Sequence, residues 1–149
     1  MTHREKAEQY FLSGYNCAQA VLCAFCDVTG QDEATSLRFA SSFGGGMGKL
    51  REVCGALSGA FAVVGLLWGN YDVNDNNAKS AHYAIVRGIA EEFIKIHGTI
   101  NCAELVKGIA NAKGSDPAER TPEYYKTRPC VRFVGDAAEI VDKLIEAKK

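Results

Sequence analysis

Apolar side chains recur at three- and four-residue spacing along most of the chain, which is the period of amphipathic α-helices. Short polar residues that can cap a helix precede these runs, and several are followed three residues later by Glu or Gln, as in a capping box. The predicted caps are Thr2, Asn16, Asp32, Asn74 or Asp75, Asn101 and Asp136. The sequence shows no alternating strand pattern and no repeat. It therefore predicts an all-α fold, a bundle of about six helices in a single domain over residues 1–149.

Glycines and prolines mark where these helices are expected to end. An uncharged run over residues 53–68 predicts a central buried helix, and the helix that begins at Asn101 is expected to reach about Ala112. Residues 113–129 contain all three prolines and are predicted to form a surface loop before the last helix, which begins at Asp136. The predicted breaks are Gly14, a point near Gly30, the glycine run at 44–48, and Gly98.

The composition is that of an ordinary globular domain. The 149 residues are 47% hydrophobic and 23% charged, which is enough to bury one core. The 17 basic and 18 acidic residues give a net charge of -1, and no aromatic and basic residues interleave as in a nucleic-acid-binding surface. We therefore expect no nucleic-acid partner.

Residues 53–71 carry no charge, and a run of this length could cross a bilayer. It contains several glycines together with Ser58 and Asn70, and no basic cluster flanks one end, so a buried core helix is the better interpretation.

The N-terminal segment is charged and lacks the apolar stretch of a signal peptide. We expect a cytoplasmic protein without a membrane partner, whose reduced thiols serve in ligation or redox chemistry rather than in structural disulfides.

The cysteines supply the main candidate chemistry. Cys17 and Cys102 follow predicted caps, and Cys54 lies close to the end of the glycine run, again near a helix start. Cys130 follows Pro129 at the far end of the predicted loop. A thiol at a helix N-terminus is favoured as thiolate by the helix dipole and by unpaired backbone N–H groups. Each cysteine alone could be a small buried hydrophobe. Their shared placement favours one common site, and we predict these four as metal ligands.

Cys23 and Cys26 form a Cys-x-x-Cys pair, which is typical of zinc or thioredoxin-like sites. On a helix that contains Cys17, however, Cys26 would point to the opposite face and Cys23 about 120° away. No second pair and no His pair at finger spacing completes a zinc site. We interpret Cys23 and Cys26 as core or surface residues of the helix.

Small residues form the second part of the predicted site. Gly55 and Gly59 give the start of the central helix a face that would admit another backbone or a bulky inorganic group. Close helix–helix packing explains this feature equally well. The glycine run could present N–H groups to an anion or to cluster sulfurs, but it lacks the Lys-Ser/Thr of a P-loop. The predicted cofactor-binding residues are Gly44, Gly45, Gly46, Met47, Gly55 and Gly59.

Together these motifs resemble a family of redox-active proteins named for a Cys…Gly-Cys-Ala-x-x-Gly…Cys…Cys pattern. The resemblance implies redox activity, an oxidoreductase or electron-transfer partner, and an iron–sulfur cluster or similar group, without a defined reaction. The family's four signature cysteines correspond to Cys17, Cys54, Cys102 and Cys130. The segments that resemble the family occur in order: GYNCAQAV at 14–21, FGGGMG at 43–48, CGALSG at 54–59, CAEL at 102–105, and Cys130 with the residue after it.

Three hypotheses for the function follow. The first is an iron–sulfur electron-transfer protein, because four thiolates match the ligand count of a cluster. The second is a thiol–disulfide redox protein, which needs two thiols within bridging reach and at least one lowered pKa. The third is a helical binding module with a structural zinc. Cys54 is expected to be the least replaceable cysteine, since nearby N–H groups should stabilise its thiolate best. Whether the chain is an enzyme or forms a homo-oligomer is left open.

Overall fold

The predicted capping residues begin helices in the computed structural model, which describes residues 1–109 and 114–149. Thr2 and Asn16 each form a complete capping box, with Glu5 and Gln19 respectively. In both boxes the two side chains satisfy backbone N–H groups that the helix leaves unpaired. Further predicted caps that accept a backbone N–H are Asp32, Asp75 and Asn101.

The described residues form ten helical segments. The segment Gly44–Met47 contains left-handed glycines and is not a regular helix, which leaves nine helices in the described chain. No strand occurs in residues 1–109 or 114–149, although Val53 and Asn101 form an isolated antiparallel bridge. The all-α prediction is confirmed, and the count of six helices is too low. The segments are α1 (His3–Leu12), α2 (Cys17–Ala24), α3 (Cys26–Thr29), α4 (Glu33–Ala40), α5 (Gly44–Met47), α6 (Gly55–Trp68), α7 (Asn76–His97), α8 (Cys102–Leu105), α9 (Pro122–Thr127) and α10 (Cys130–Ala147).

Two predicted helices are shorter than the pattern indicated. The second helix breaks at Phe25, whose N–H bonds to the Leu22 carbonyl, so α3 is a separate turn. The helix that begins at Cys102 ends at Leu105. Its predicted end at Ala112, and the first residue of the predicted loop, lie outside the described residues.

The segment before the last helix is more helical than predicted. Thr121 caps α9 inside the expected loop by accepting the Tyr124 N–H. The last helix begins at Cys130 rather than at Asp136, because its apolar face already starts at Phe133 and Val134. The predicted cap, Asp136, therefore lies inside α10.

The core lies around α6, which carries no charged residue and buries Ala56, Leu57, Ala60, Val63 and Val64. This helix packs against α2, α7 and α10, and α10 also packs along α1. None of the helices in the described part of the chain combines the length and apolar character needed to cross a membrane. The largest fully buried side chains are Phe11, Phe25, Phe93, Leu22, Leu57 and Ile89.

Candidate functional site

All four predicted site cysteines stand at helix N-termini. Cys17, Cys102 and Cys130 are the first residues of α2, α8 and α10, and Cys54 is the N-cap of α6. The four side chains line a single cavity of about 50 Å³, which we call the thiol pocket. The fold thus gathers cysteines that are far apart in sequence.

Backbone pairing brings Cys54 and Cys102 together. The Cys54 N–H donates to the Ile100 carbonyl at 2.8 Å, and the Cys102 N–H donates to the Glu52 carbonyl at 2.6 Å. These bonds flank the bridge between the two segments and hold the starts of α6 and α8 side by side. This pairing fixes the relative position of the two helix starts, of which only α8 has a capping side chain, that of Asn101.

Cys17 and Cys130 meet where α10 packs against α2, and their thiols interact by a hydrogen bond. Arg128 lies just before α10, is only 6% exposed, and interacts with the Cys130 sulfur. Its guanidinium also stacks over the Tyr124 ring at 4.8 Å. A buried cation and a second thiol thus adjoin the Cys130 sulfur.

These neighbours give the thiols different acidities. The hydrogen bond from Cys17, with the charges of Arg128 and Arg120, lowers the pKa of Cys130 to about 7 although burial opposes the shift. The same hydrogen bond, together with burial, raises the pKa of Cys17 well above its ordinary value. Burial raises the pKa of Cys54 to about 12, even though backbone N–H groups donate to it. The expectation that Cys54 has the best stabilised thiolate is therefore wrong, since the pKa of Cys130 is lower than that of Cys54.

The glycine run forms a left-handed turn beside Cys102. Three non-glycine residues there, Met47, Lys49 and Arg51, have φ values of 71°, 65° and 61°. Such conformations cost about 1–3 kcal/mol each and persist only where the surrounding structure holds them. At Gly46 a Cβ would stand 2.8 Å from the Cys102 Cβ, so the turn packs closely on this cysteine. The Arg51 guanidinium donates to the Cys102 sulfur at 3.3 Å.

The predicted cofactor-binding residues take different positions. Gly45, Gly46 and Gly55 line the thiol pocket, and Gly44 lines a neighbouring pocket. Met47 is 38% exposed and, like Gly59, is not among the described residues that line either pocket. A Cβ on Gly59 would lie 2.7 Å from the Ala18 carbonyl oxygen. Close packing of α6 against α2 accounts for this glycine.

A second, wider cavity of about 270 Å³ adjoins the thiol pocket, and we call it the outer pocket. The two share several wall residues, including Asn16, Gly45 and Tyr124. Its charged lining residues are Lys49, Arg51, Arg120 and Arg128. These cations were not predicted as site residues, although Lys49 and Arg51 closely follow the glycine run and Arg128 closely precedes Cys130.

Cys23 and Cys26 lie apart from this site. Cys23 is buried in α2, and burial raises its pKa to about 12. Cys26 begins α3, and its sulfur lies 3.6 Å from the Ser36 hydroxyl. Neither is among the described residues that line the thiol pocket, although Cys26 lies in the separate turn α3 and not, as predicted, on the helix that contains Cys17.

The thiol pocket has the donor chemistry of a metal centre. Four thiols suit an iron–sulfur cluster or tetrahedral zinc. Within the described ranges, however, no three Cys, His, Asp or Glu side chains are placed so that they could hold a metal ion. All six cysteines are free thiols in this structure.

Fold and site define an all-α protein that gathers four thiols at helix N-termini. The chain belongs to the C_GCAxxG_C_C family, described as "putative redox-active protein", whose model matches residues 15–144. This match confirms the family resemblance of the sequence motifs. No curated protein and no solved structure matches the chain.

Proposed function

We propose that the protein is a thiol–disulfide redox protein in which Cys130 is the attacking thiol and Cys17 the resolving thiol. The contact between these two thiols inside one pocket carries the proposal. A dithiol couple needs two sulfurs within bridging reach and one that ionises readily. Arg128 supports the second requirement, because its buried charge adjoins the Cys130 sulfur.

The proposed reaction transfers two electrons from the dithiol to a disulfide. The Cys130 thiolate attacks one sulfur of the substrate, so that a mixed disulfide forms, the substrate S–S bond breaks and one thiolate leaves. Cys17 then attacks the Cys130 sulfur, releases the second substrate thiolate and leaves a Cys17–Cys130 disulfide. The protons of the two protein thiols end on the two released thiols. A cellular dithiol, or a dithiol oxidoreductase partner, restores the reduced chain, and we place this cycle in the cytoplasm.

Trapping of the mixed disulfide tests this function. With the neutral probe bis(2-hydroxyethyl) disulfide, we expect the native chain to form a Cys17–Cys130 bridge, detected by peptide mass spectrometry. The Cys17→Ser variant should accumulate a mixed disulfide at Cys130, because the resolving thiol is missing. Cys130→Ser should form neither product, and the control Cys26→Ser should behave as the native chain does. A native chain that yields no Cys17–Cys130 peptide would overturn the proposal.

The second candidate is a metal-binding electron-transfer protein. It is favoured by the convergence of Cys17, Cys54, Cys102 and Cys130 on one pocket. In this proposal the four thiolates hold an iron–sulfur cluster that supplies one-electron transfer to an oxidoreductase partner, with zinc as the alternative metal. The chain contributes cationic Arg51 and Arg128, which would offset the negative charge of the thiolates.

Metal loading separates the two candidates. After anaerobic reconstitution with iron and sulfide, a cluster protein should be coloured and hold both elements, whereas a zinc protein should be colourless with one zinc per chain. The Cys54→Ser variant should then lose the metal while Cys26→Ser keeps it, since serine is a poor ligand for soft metals. A colourless, metal-free native chain would eliminate this candidate and leave the dithiol proposal.

A further inference from the structure

The outer pocket is lined by cations and leads to the reactive thiols. Its volume of about 270 Å³ is close to the lower end of small-molecule sites. Of the described residues that line it, none is Asp or Glu. Of the four cationic residues in its described lining, Arg51, Arg120 and Arg128 also line the thiol pocket. The outer pocket therefore adjoins the thiol pocket, which Cys130 lines.

The arginines are held in place by the fold. Arg120 donates to the Phe11 and Tyr15 carbonyl oxygens at 3.1 and 3.0 Å. Its guanidinium also stacks on the Phe11 ring at 4.4 Å. Arg120 and Arg128 each place a guanidinium 4.8 Å from the centre of the Tyr124 ring. Such fixed positions reduce the entropy that these long side chains would lose on binding a ligand.

The cations lie close enough to affect one another. Burial, followed by the nearby charges of Arg51 and Arg128, lowers the pKa of Lys49. The Lys49 ammonium donates to the backbone carbonyl of Asp116, and the negative charge of the Asp116 carboxylate acts in the opposite direction, raising the pKa of Lys49. A concentration of positive charge in a cleft favours anions locally, although the whole chain has a net charge of -1.

We propose that the outer pocket binds the anionic groups of a small disulfide substrate, such as one that bears carboxylates, and so presents its sulfurs to Cys130. This inference rests on the proposed thiol–disulfide function and assigns that function a substrate class. Arginine suits the task because its planar fork pairs with carboxylates in bidentate fashion. The reaction is the exchange described above: the substrate disulfide is reduced to two thiols, and the Cys17–Cys130 pair is oxidised.

Three disulfides with identical ethylene arms and different end groups test the inference. They are 3,3′-dithiodipropionate, a dianion; bis(2-hydroxyethyl) disulfide, which is neutral; and cystamine, a dication. The measured quantity is the rate constant of Cys17–Cys130 bridge formation, divided by the rate constant of the same disulfide with 2-mercaptoethanol. This division removes differences in intrinsic reactivity. At low salt we expect the dianion to react about tenfold faster than the dication, and the ratio to shrink as salt is added.

Two variants locate the effect. Lys49→Gln should lower the dianion-to-dication ratio severalfold, because it removes one charge from the outer pocket. Lys95→Gln removes a charge from the exposed face of α7, where Lys95 pairs with Glu92, and should leave the ratio unchanged. Equal normalised rates for the three probes, or equal effects of the two variants, would overturn the inference. Failure of the neutral probe to form any Cys17–Cys130 bridge would instead overturn the proposed function itself.

Discussion

At the scale of single residues, the informative pair is Arg128 and Cys130. Arg128 is 6% exposed, and burial of a guanidinium is costly unless an anion or several hydrogen bonds compensate for it. The Cys130 thiolate is such an anion, and its first-turn position in α10 adds the favourable end of the helix dipole. The pairing therefore stabilises the Cys130 thiolate and offsets the cost of burying the Arg128 guanidinium.

Removal of the Arg128 charge should make Cys130 less reactive near neutral pH. In the native chain, alkylation of Cys130 by iodoacetamide should be fast above pH 7 and fall as the pH drops below that value, because the pKa of Cys130 is about 7. In Arg128→Gln the lost positive charge raises the pKa of Cys130. The midpoint of the rate profile should move to higher pH, as measured by mass spectrometry of the Cys130 peptide.

Arg132→Gln is the matched control for this prediction. Arg132 is an exposed residue of the same helix, and it is not among the described residues that line either pocket. Its removal should leave the alkylation midpoint of Cys130 near pH 7. A midpoint that moves equally in both variants would mean that overall charge, rather than the contact with Arg128, sets the acidity.

At the scale of the helices, the residues where helices begin could be predicted from the sequence better than the residues where they end. Caps such as Thr2 and Asn16 act through hydrogen bonds to neighbouring residues, so the sequence alone reveals them. The start of α10 was missed because Asp136 and Glu139 look like a capping box. The apolar spacing of Val134, Ala138 and Val141 was the signal that could have extended the helix toward Cys130.

Two glycines of α6 provide a test of packing within one helix. A Cβ on Gly59 would lie 2.7 Å from the Ala18 carbonyl oxygen, whereas one on Gly65 meets no described atom within 4 Å. Gly59→Ala should therefore lower the free energy of unfolding by about 1–3 kcal/mol, because α2 and α6 must move apart. Gly65→Ala should raise it by about 0.5–1 kcal/mol, since alanine favours the helix.

Urea denaturation of both variants measures this difference. The two substitutions add the same methyl group to the same helix, so intrinsic helix propensity cannot account for effects of opposite sign. If Gly59→Ala were as stable as Gly65→Ala, the close approach of α2 and α6 would be wrong. The interpretation of Gly59 as a packing residue would then fail with it.

At the scale of the whole molecule, the sequence predicted which cysteines belong together but not how they meet. Placement at helix starts pointed to Cys17, Cys54 and Cys102, and the structure gathers them with Cys130. The pairing of Cys17 with Cys130, and the cations around them, depend on tertiary contacts of α10 that no local pattern encodes. The roles of the four cysteines in binding a metal, and the assignment of residues 1–149 to one domain, stay predictions.

A polar cluster around Asp136 joins α1, α7 and α10, and its loss should destabilise the whole fold. Asp136 lies 2.7 Å from the His97 Nε2 atom and 2.7 Å from the Arg4 Nη1 atom, and its side chain is 15% exposed. Asp136→Asn removes the charge that both partners face, and we expect the free energy of unfolding to fall by about 3 kcal/mol. Glu139→Gln is the control, because Glu139 also contacts Arg4 but is 49% exposed, so its effect should stay within about 0.5 kcal/mol. Chemical denaturation at neutral pH measures both, and equal effects would show that burial does not govern the strength of this cluster.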